Sequence, residues 1–559
     1  MKILLIYPYF LDRRLSLEDI QSPPMGVFYV AAVLKAHGHD VEVLNWHDRE
    51  LPPEHMESVL REKRPQVIGF SILHANRWGG IEIARMAKRI DPAVAIVFGG
   101  VGATHLWEHF LKHVPEVDYI VLGEGETTFL KLVERLAGRT AGDGASIAGM
   151  AFRKDGQPFR TAAPEPVRDL DLLPLPAHYF DYAHLSLSRG CSSNCRFCGS
   201  PGFWGRRVRY HSAEYFVDQL ARLRQRGRRF FFVSDDTFTL NRRRTIAVCR
   251  LMIQRRLDLQ WAAISRVDAV DEEMLAWMRR AGCIQISYGV ESGSAEIRRR
   301  LNKKISDRQI RDAFACTHRF GIMARAYFIY GCPGENPTTI QATLDLMQAI
   351  RPLAAVFYIL DLFPGTAFYE DFKQRCQATD DIWLKRVEDI MYFETDPSLS
   401  AEQIVEYGRM LRDSFYTNLP RFVQALDPVD QSDFYPLHAD FFSRLAMTFD
   451  QGDYARVDAI PNKPQLAEVL YRRALSYHPD ARAYLGLGIL NQKAGRHTAA
   501  ADLLTTGLSF FPENEPLKAC LAVSLMNLGR HSEALSLLER CPSQPQVQPL
   551  IAACRQAGR

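Results

Sequence analysis

A chain of 559 residues, 47% hydrophobic and 24% charged, is long and apolar enough for three or four domains with their own cores, which excludes a mainly disordered protein. The formal net charge of +4 gives no general attraction to nucleic acid or anionic lipid, so the basic runs at 224–229, 242–244 and 298–300 read as solvated faces or local anion contacts. No apolar run approaches the roughly 18 residues of a membrane span, and the eleven cysteines, an odd number without an export signal, fit a reducing cytoplasm.

The first 140 residues alternate short apolar runs with amphipathic stretches: KILLIYPYF, GVFYVAAVLKAHG, DVEVLN, a polar helix near 53–63, QVIGFSIL, GGIEIARMAKRI, AVAIVFGG, DYIVLGEGE and TTFLKLVERLAG. This pattern predicts a doubly wound parallel sheet covered on both faces, whose ligand lies at the carboxyl ends of the strands. Those ends carry Ser71 and Ile72, then Gly99, Gly100 and Thr104, then Gly123, Glu124 and Gly125. Their glycines either let the backbone approach a large ligand or make tight turns.

Residues 141–183 are rich in Pro, Gly and Asp and read as a linker with few regular elements. From 184 to 400 the alternation resumes with HLSLS, RFFFVSDD, QWAAIS, CIQISYGVES, ARAYFIYGCPGE and AVFYILDLFPGT, a (β/α)6-type partial barrel with its working residues where strands end. A helical connector over 401–434 follows. Residues 435–559 form an all-α segment in which Gly495, His497, Ala500 and Leu504 recur 34 residues later as Gly529, His531, Ala534 and Leu538. That is the period of tetratricopeptide helix pairs, which are expected to fold separately from the barrel and to offer a surface to a protein partner.

Within the barrel segment, Cys191, Cys195 and Cys198 stand in SRGCSSNCRFCGS with C-x3-C-x2-C spacing. A structural zinc site takes four ligands and a disulfide two, so three thiolates fit a [4Fe-4S] cluster with one open iron better; a zinc ion with a distant fourth ligand stays open.

The C-x3-C-x-aromatic-C motif, with Phe197 as the aromatic, resembles the signature of radical S-adenosylmethionine enzymes. The resemblance implies that S-adenosylmethionine binds the open iron and is cleaved to methionine and a 5'-deoxyadenosyl radical, with the Phe197 backbone against the adenine. The family's glycine-glycine-glutamate stretch is replaced here by SDDTF, where Asp235 or Asp236 takes the role of binding the methionine amine. Glu291 and Ser292 match the ribose-contacting strand, Gly331 the later glycine-rich motif, and Arg266 a carboxylate partner.

The preceding domain resembles the cobalamin-binding domain of cobalamin-dependent radical S-adenosylmethionine enzymes. It lacks the D-x-H-x-x-G stretch of other cobalamin proteins, so no histidine on cobalt is expected, and His47, His74 and His105 read as surface or turn residues. Bulk at Gly100 or Gly125 is expected to cost cobalamin before it costs the fold. The implied activity is methylation of an unreactive carbon on a small-molecule or peptide substrate, with an electron donor such as flavodoxin or ferredoxin. Radical cyclisation or ring rearrangement uses the same cofactors, and a mainly protein-interaction role for the repeats is a further alternative. Transfer-RNA methylthiotransferases carry a second three-cysteine cluster in their first domain; residues 1–190 here contain no cysteine.

Overall fold

The computed structural model describes residues 1–11, 23–47, 52–140, 144–541 and 547–557; the first three residues of the expected linker, 141–143, lie outside them. The amino-terminal sheet contains β1 (Lys2–Tyr7), β2 (Asp40–Asn45), β3 (Val67–Ser71), β4 (Ala95–Gly99), β5 (Tyr119–Val121), β6 (Met150–Lys154) and β7 (Gln157–Arg160) in the order β2-β1-β3-β4-β5-β6-β7. The first five pair in parallel and the last two antiparallel. Alternate residues serve opposite faces: Leu4, Ile6, Ile68, Phe70, Ile96 and Phe98 enter one core, while Ile3, Leu5, Val67, Val97 and Val121 enter the other. The strand order reverses between β1 and β3, which opens a crevice at their carboxyl ends. The antiparallel pair β6 and β7 comes from the segment expected to have few regular elements; it completes the sheet edge, and Gly156, at φ +79°, turns the hairpin.

The second sheet holds β8 (His184–Leu185), β11 (Phe230–Val233), β12 (Gln260–Ser265), β13 (Cys283–Glu291), β14 (Met323–Tyr330) and β15 (Ala354–Ile359), all parallel and laid out in chain order. This is the partial barrel read from the sequence. Between β8 and β11, a short antiparallel pair, β9 (Ser188–Arg189) and β10 (Arg209–Tyr210), brackets the cysteine loop.

The carboxyl-terminal region is helical, and Gly495 and Gly529 take φ +72° and +76° at equivalent helix ends of the 34-residue repeat. Its first helices do not stand apart from the barrel, contrary to expectation. Phe441, Phe442 and Leu445 of the helix Tyr435–Asp450, Leu470 of the helix Lys463–Tyr477 and Leu487 of the helix Ala481–Lys493 share one core with Ile286, Phe314 and Ile322 of the barrel. Arg279 of the barrel, almost fully buried, donates to Asp440 at 2.8 Å across that junction. A separate core, built on Leu504, Leu517, Leu525 and Leu538, starts only with the later repeats. No helix among the described residues is long and apolar enough to cross a membrane.

Candidate active site

The crevice of the first sheet faces the open end of the partial barrel across a cavity of about 610 Å³, within the size range of small-molecule and cofactor sites. Ser71, Gly99, Gly100, Gly123, Glu124 and Gly125, at the strand ends singled out in the sequence, line it from one side. Cys198, Gly199, Ser200, Phe203, Trp204 and Asp236 line it from the other, joined by Asp361, Phe363 and Pro364 beyond the end of β15.

Two of the expected cobalamin contacts act behind this wall. Ile72 is fully buried in the sheet core. Thr104 braces two loops at once: its hydroxyl donates to the Gly100 carbonyl at 2.8 Å and accepts from the Gly123 amide at 3.0 Å. Gly100 also has a different reason to be glycine from the one expected. At φ +92°, a Cβ there would meet the Ile72 carbonyl oxygen at 2.9 Å, so bulk would disturb the packing of two loops rather than intrude on a ligand. A Cβ on Gly125 would meet Val30 and Val121 at 3.2 and 3.4 Å, again protein. Gly99 is the open position, with only ordinary contacts at 3.8 Å.

Glu124 faces the cavity but is already engaged. With Glu126 it holds Arg189, at 3.1 and 2.6 Å, and it also pairs with Arg209, all four side chains being buried. This network ties the helix Gly125–Leu136 of the first domain to β9 and β10, which flank the cysteine loop.

The three cysteines sit together in the loop after β9, Cys191 buried and Cys195 and Cys198 partly so. Burial pushes the Cys198 thiol up to about 11. It raises Cys195 too, against the nearby charges of Lys303 and Arg266. Burial thus disfavours the thiolates in the metal-free loop, and a bound metal centre would supply the positive charge that deprotonates them. All eleven cysteines are unpaired, so no disulfide competes for these three.

The two candidate aspartates separate. Asp235 turns inward, accepting from the Leu187 amide at 2.8 Å and from the Ser188 hydroxyl, and desolvation raises it to about 7. Asp236 opens onto the cavity, accepts from Ser200 Oγ at 2.6 Å, and is raised in pKa by the protein mass around it. Arg266 grips Asp268 at 2.8 and 2.9 Å, close enough to the cysteine loop for its charge to act on Cys195. Glu291, at φ +67°, ends β13 in a buried ion pair with Lys303 at 2.7 Å.

Other expected contact residues have partners within the protein. The Ser292 side chain is fully buried, against Thr343 and the Ser294 amide. Phe197 packs at the edge of the first domain's core. Gly331, at φ +75°, donates its amide to Glu335, whose carboxylate closes the turn and which burial raises to about 7.

Sequence reasoning missed two groups. His74 is not an ordinary surface residue: it lines the cavity and pairs with Asp361 at 3.2 Å, across the junction of the two domains. His105 likewise faces the junction, against Gly365. His47 makes an edge contact with Phe10, a cavity residue. Only the strand-end positions of His74 and Asp361, in SILHAN and ILDLFPGT, carried any signal.

Family models agree with this layout. A B12 binding domain matches residues 20–133, the radical SAM superfamily residues 185–347 and a tetratricopeptide repeat residues 491–557. An uncharacterised methyltransferase of Pyrococcus horikoshii is 30% identical over 66% of this chain and 83% of its own. The chain belongs to the B12-binding radical SAM enzymes. As a radical SAM enzyme it is also similar to the anaerobic magnesium-protoporphyrin IX monomethyl ester cyclase of Rubrivivax gelatinosus, 27% identical over 68% of this chain and 71% of that one. The fold matches that of the radical S-adenosylmethionine methyltransferase TsrM from Kitasatospora setae, with a TM-score of 0.60 at 16% identity, covering 85% of this chain and 99% of the other. The family's cofactors are cobalamin, a [4Fe-4S] cluster and S-adenosylmethionine. The residues present fit them: three unpaired thiols in one loop, of which Cys198 reaches the cavity, on one side, and a loop-lined crevice at a sheet switch point on the other.

Proposed function

We propose that this chain methylates an unreactive carbon of a small-molecule or peptide substrate within the cavity between its two sheets. The observation that carries the reading is the shared lining: Cys198, Ser200 and Asp236 face Ser71, Gly99 and Gly123 across one space. When bound, cobalamin supplies a transferable methyl group, and the cluster with S-adenosylmethionine supplies the radical that removes hydrogen from the substrate.

Cys191, Cys195 and Cys198 would hold the cluster as thiolates, three protein ligands for a centre that also takes S-adenosylmethionine. Asp236, not Asp235, accepts hydrogen bonds from the methionine ammonium, because its carboxylate is the one presented to the cavity. Ser200 Oγ fixes the orientation of that carboxylate. The backbone of Ser71, Gly99, Gly100, Gly123 and Gly125 holds cobalamin, with Thr104 keeping the second and third loops in register. His74 lines the same cavity and pairs with Asp361 through one ring nitrogen, which ties the first domain's wall to the end of the barrel. The apolar walls from Phe203, Trp204 and Phe363 exclude water from a site where a radical must survive.

The methyltransferase of P. horikoshii favours methylation; the cyclase of R. gelatinosus favours oxidative cyclisation as the second reading. Anaerobic turnover of the cofactor-loaded protein with candidate substrates separates them. Equal yields of S-adenosylhomocysteine and 5'-deoxyadenosine per product support methylation, and 5'-deoxyadenosine alone with product formed overturns it. The electron for each cleavage comes from a donor such as flavodoxin or ferredoxin. The unpaired cysteines support a cytoplasmic setting, and the later repeats a contact with a protein partner.

A further inference from the structure

Away from the cavity, one group of three ligand-type side chains among the described residues closes on itself. A ring nitrogen of His109, a ring nitrogen of His113 and a carboxylate oxygen of Asp381 all lie within 4.8 Å of one another. The histidines are four residues apart on the helix Trp107–His113 and so share a face, with ring centroids 5.1 Å apart. Asp381 comes from the segment after the barrel strands, in the short turn Asp380–Leu384, and its carboxylate accepts from His113 Nε2 at 2.9 Å.

Both halves are held in place by the protein itself. Arg77, fully buried, donates to the carbonyls of Trp383 at 3.3 Å, Lys385 at 3.1 Å and Glu388 at 3.2 Å, and its guanidinium lies 4.6 Å from the Trp383 ring. The Asp381 amide donates to Thr379 Oγ1. Asp380 is occupied by Tyr369 and Lys373, so its neighbour Asp381 is the carboxylate of this turn that meets the histidines. His109 is 6% exposed, and its Nδ1 has no hydrogen-bond partner within the protein, which leaves that nitrogen available to a ligand.

We propose that His109, His113 and Asp381 bind a divalent transition-metal ion of the zinc class, which straps the first domain to the segment following the barrel. Two imidazoles and one carboxylate form a nitrogen-and-oxygen donor set suited to such an ion, with water in the fourth position. Ligand bonds of roughly 2.0–2.2 Å require the three groups to draw in from their present spacing. His113 and Asp381, both partly exposed, have the freedom to do so. The strap has a second attachment near the cavity: Leu362 donates to the Ile390 carbonyl and Asp361 bridges to Met391, so the ion's anchor and the cavity wall lie on one stretch of chain.

The test uses full-length protein carrying its cluster and cobalamin, cleared of loosely bound metal and titrated with Zn(II) alone against a chromophoric chelator. One equivalent of zinc is expected beyond the cluster iron. His113→Ala and Asp381→Asn, at partly exposed positions, are each expected to weaken it by about 100-fold or more, since even outer-shell changes cost 10–100-fold. Zinc should raise the thermal midpoint of the wild type and not of either variant, with iron and cobalamin content equal in all three. Absence of a zinc equivalent in the wild type, or wild-type affinity in both variants, overturns the site.

Discussion

At the scale of single residues, Asp235 and Asp236 are adjacent in sequence and opposite in environment. Asp235 is buried, and its pKa, raised from about 3.9 in an unfolded chain to about 7, makes the folded state the one that holds the proton between those values. Its contribution to stability is therefore fully present below about pH 4, falls as pH rises toward 7 and changes no further above. Glu335, also raised to about 7, adds a slope of the same sign. Asp235→Asn keeps a neutral group that can donate to Ser188 Oγ, so denaturant unfolding should show a flatter pH dependence between about 4 and 7 in that variant. An unchanged slope would assign the effect elsewhere. Asp236→Asn, by contrast, should leave stability within about 0.5 kcal/mol, as for open positions generally, while weakening S-adenosylmethionine binding by about tenfold or more in equilibrium dialysis of the cluster-loaded protein. At Gly99 a side chain enters open space, so Gly99→Val is expected to reduce cobalamin retained after gel filtration with cluster iron unchanged. Gly100→Val is expected to lose fold and cobalamin together.

At the scale of elements, the junction between the cobalamin-binding sheet and the cysteine loop rests on buried charge. Removing one partner of such a network leaves the others unpaired in a poorly solvated place, at a cost of about 3–5 kcal/mol. Arg189→Met should show this in denaturant unfolding through Glu126, which is buried against the lost guanidinium, while Glu124 keeps Arg209. A loss below about 1 kcal/mol would mean the carboxylates find water or other donors. This network also marks the limit of what the sequence could tell. The strands, their order of chemistry-bearing ends and the cysteine triad were legible because periodicity and short-range spacing are local properties. Glu124 read as a ligand contact because a strand-end carboxylate looks the same whether it meets a ligand or an arginine 65 residues away. The β6–β7 hairpin was hidden in a Pro- and Gly-rich stretch whose strands pair only at a sheet edge. His74 and Asp361 are 287 residues apart, and no local pattern joins them.

At the scale of the whole molecule, an apolar helix face carries no label for what covers it. The helices from Tyr435 to Lys493 have repeat-like sequences, yet they bury that face on the barrel, and only the later helices build their own core. A chain ending at residue 434 should therefore expose Phe314, Phe320 and Ile322 and aggregate, whereas one ending at 495 should remain soluble and load its cluster and cobalamin. Equal behaviour of the two would show that the early helices are dispensable. The Arg189 network and the His74–Asp361 pair hold the two walls around one cavity, and the proposed function depends on that arrangement. It is tested most directly by electron paramagnetic resonance of the loaded protein with cobalt as Co(II), recorded with the iron-sulfur cluster first oxidised and then reduced. Two paramagnets sharing one cavity should interact, so the cobalt signal is expected to broaden and relax faster when the cluster is reduced; an identical cobalt signal in both states would contradict the account.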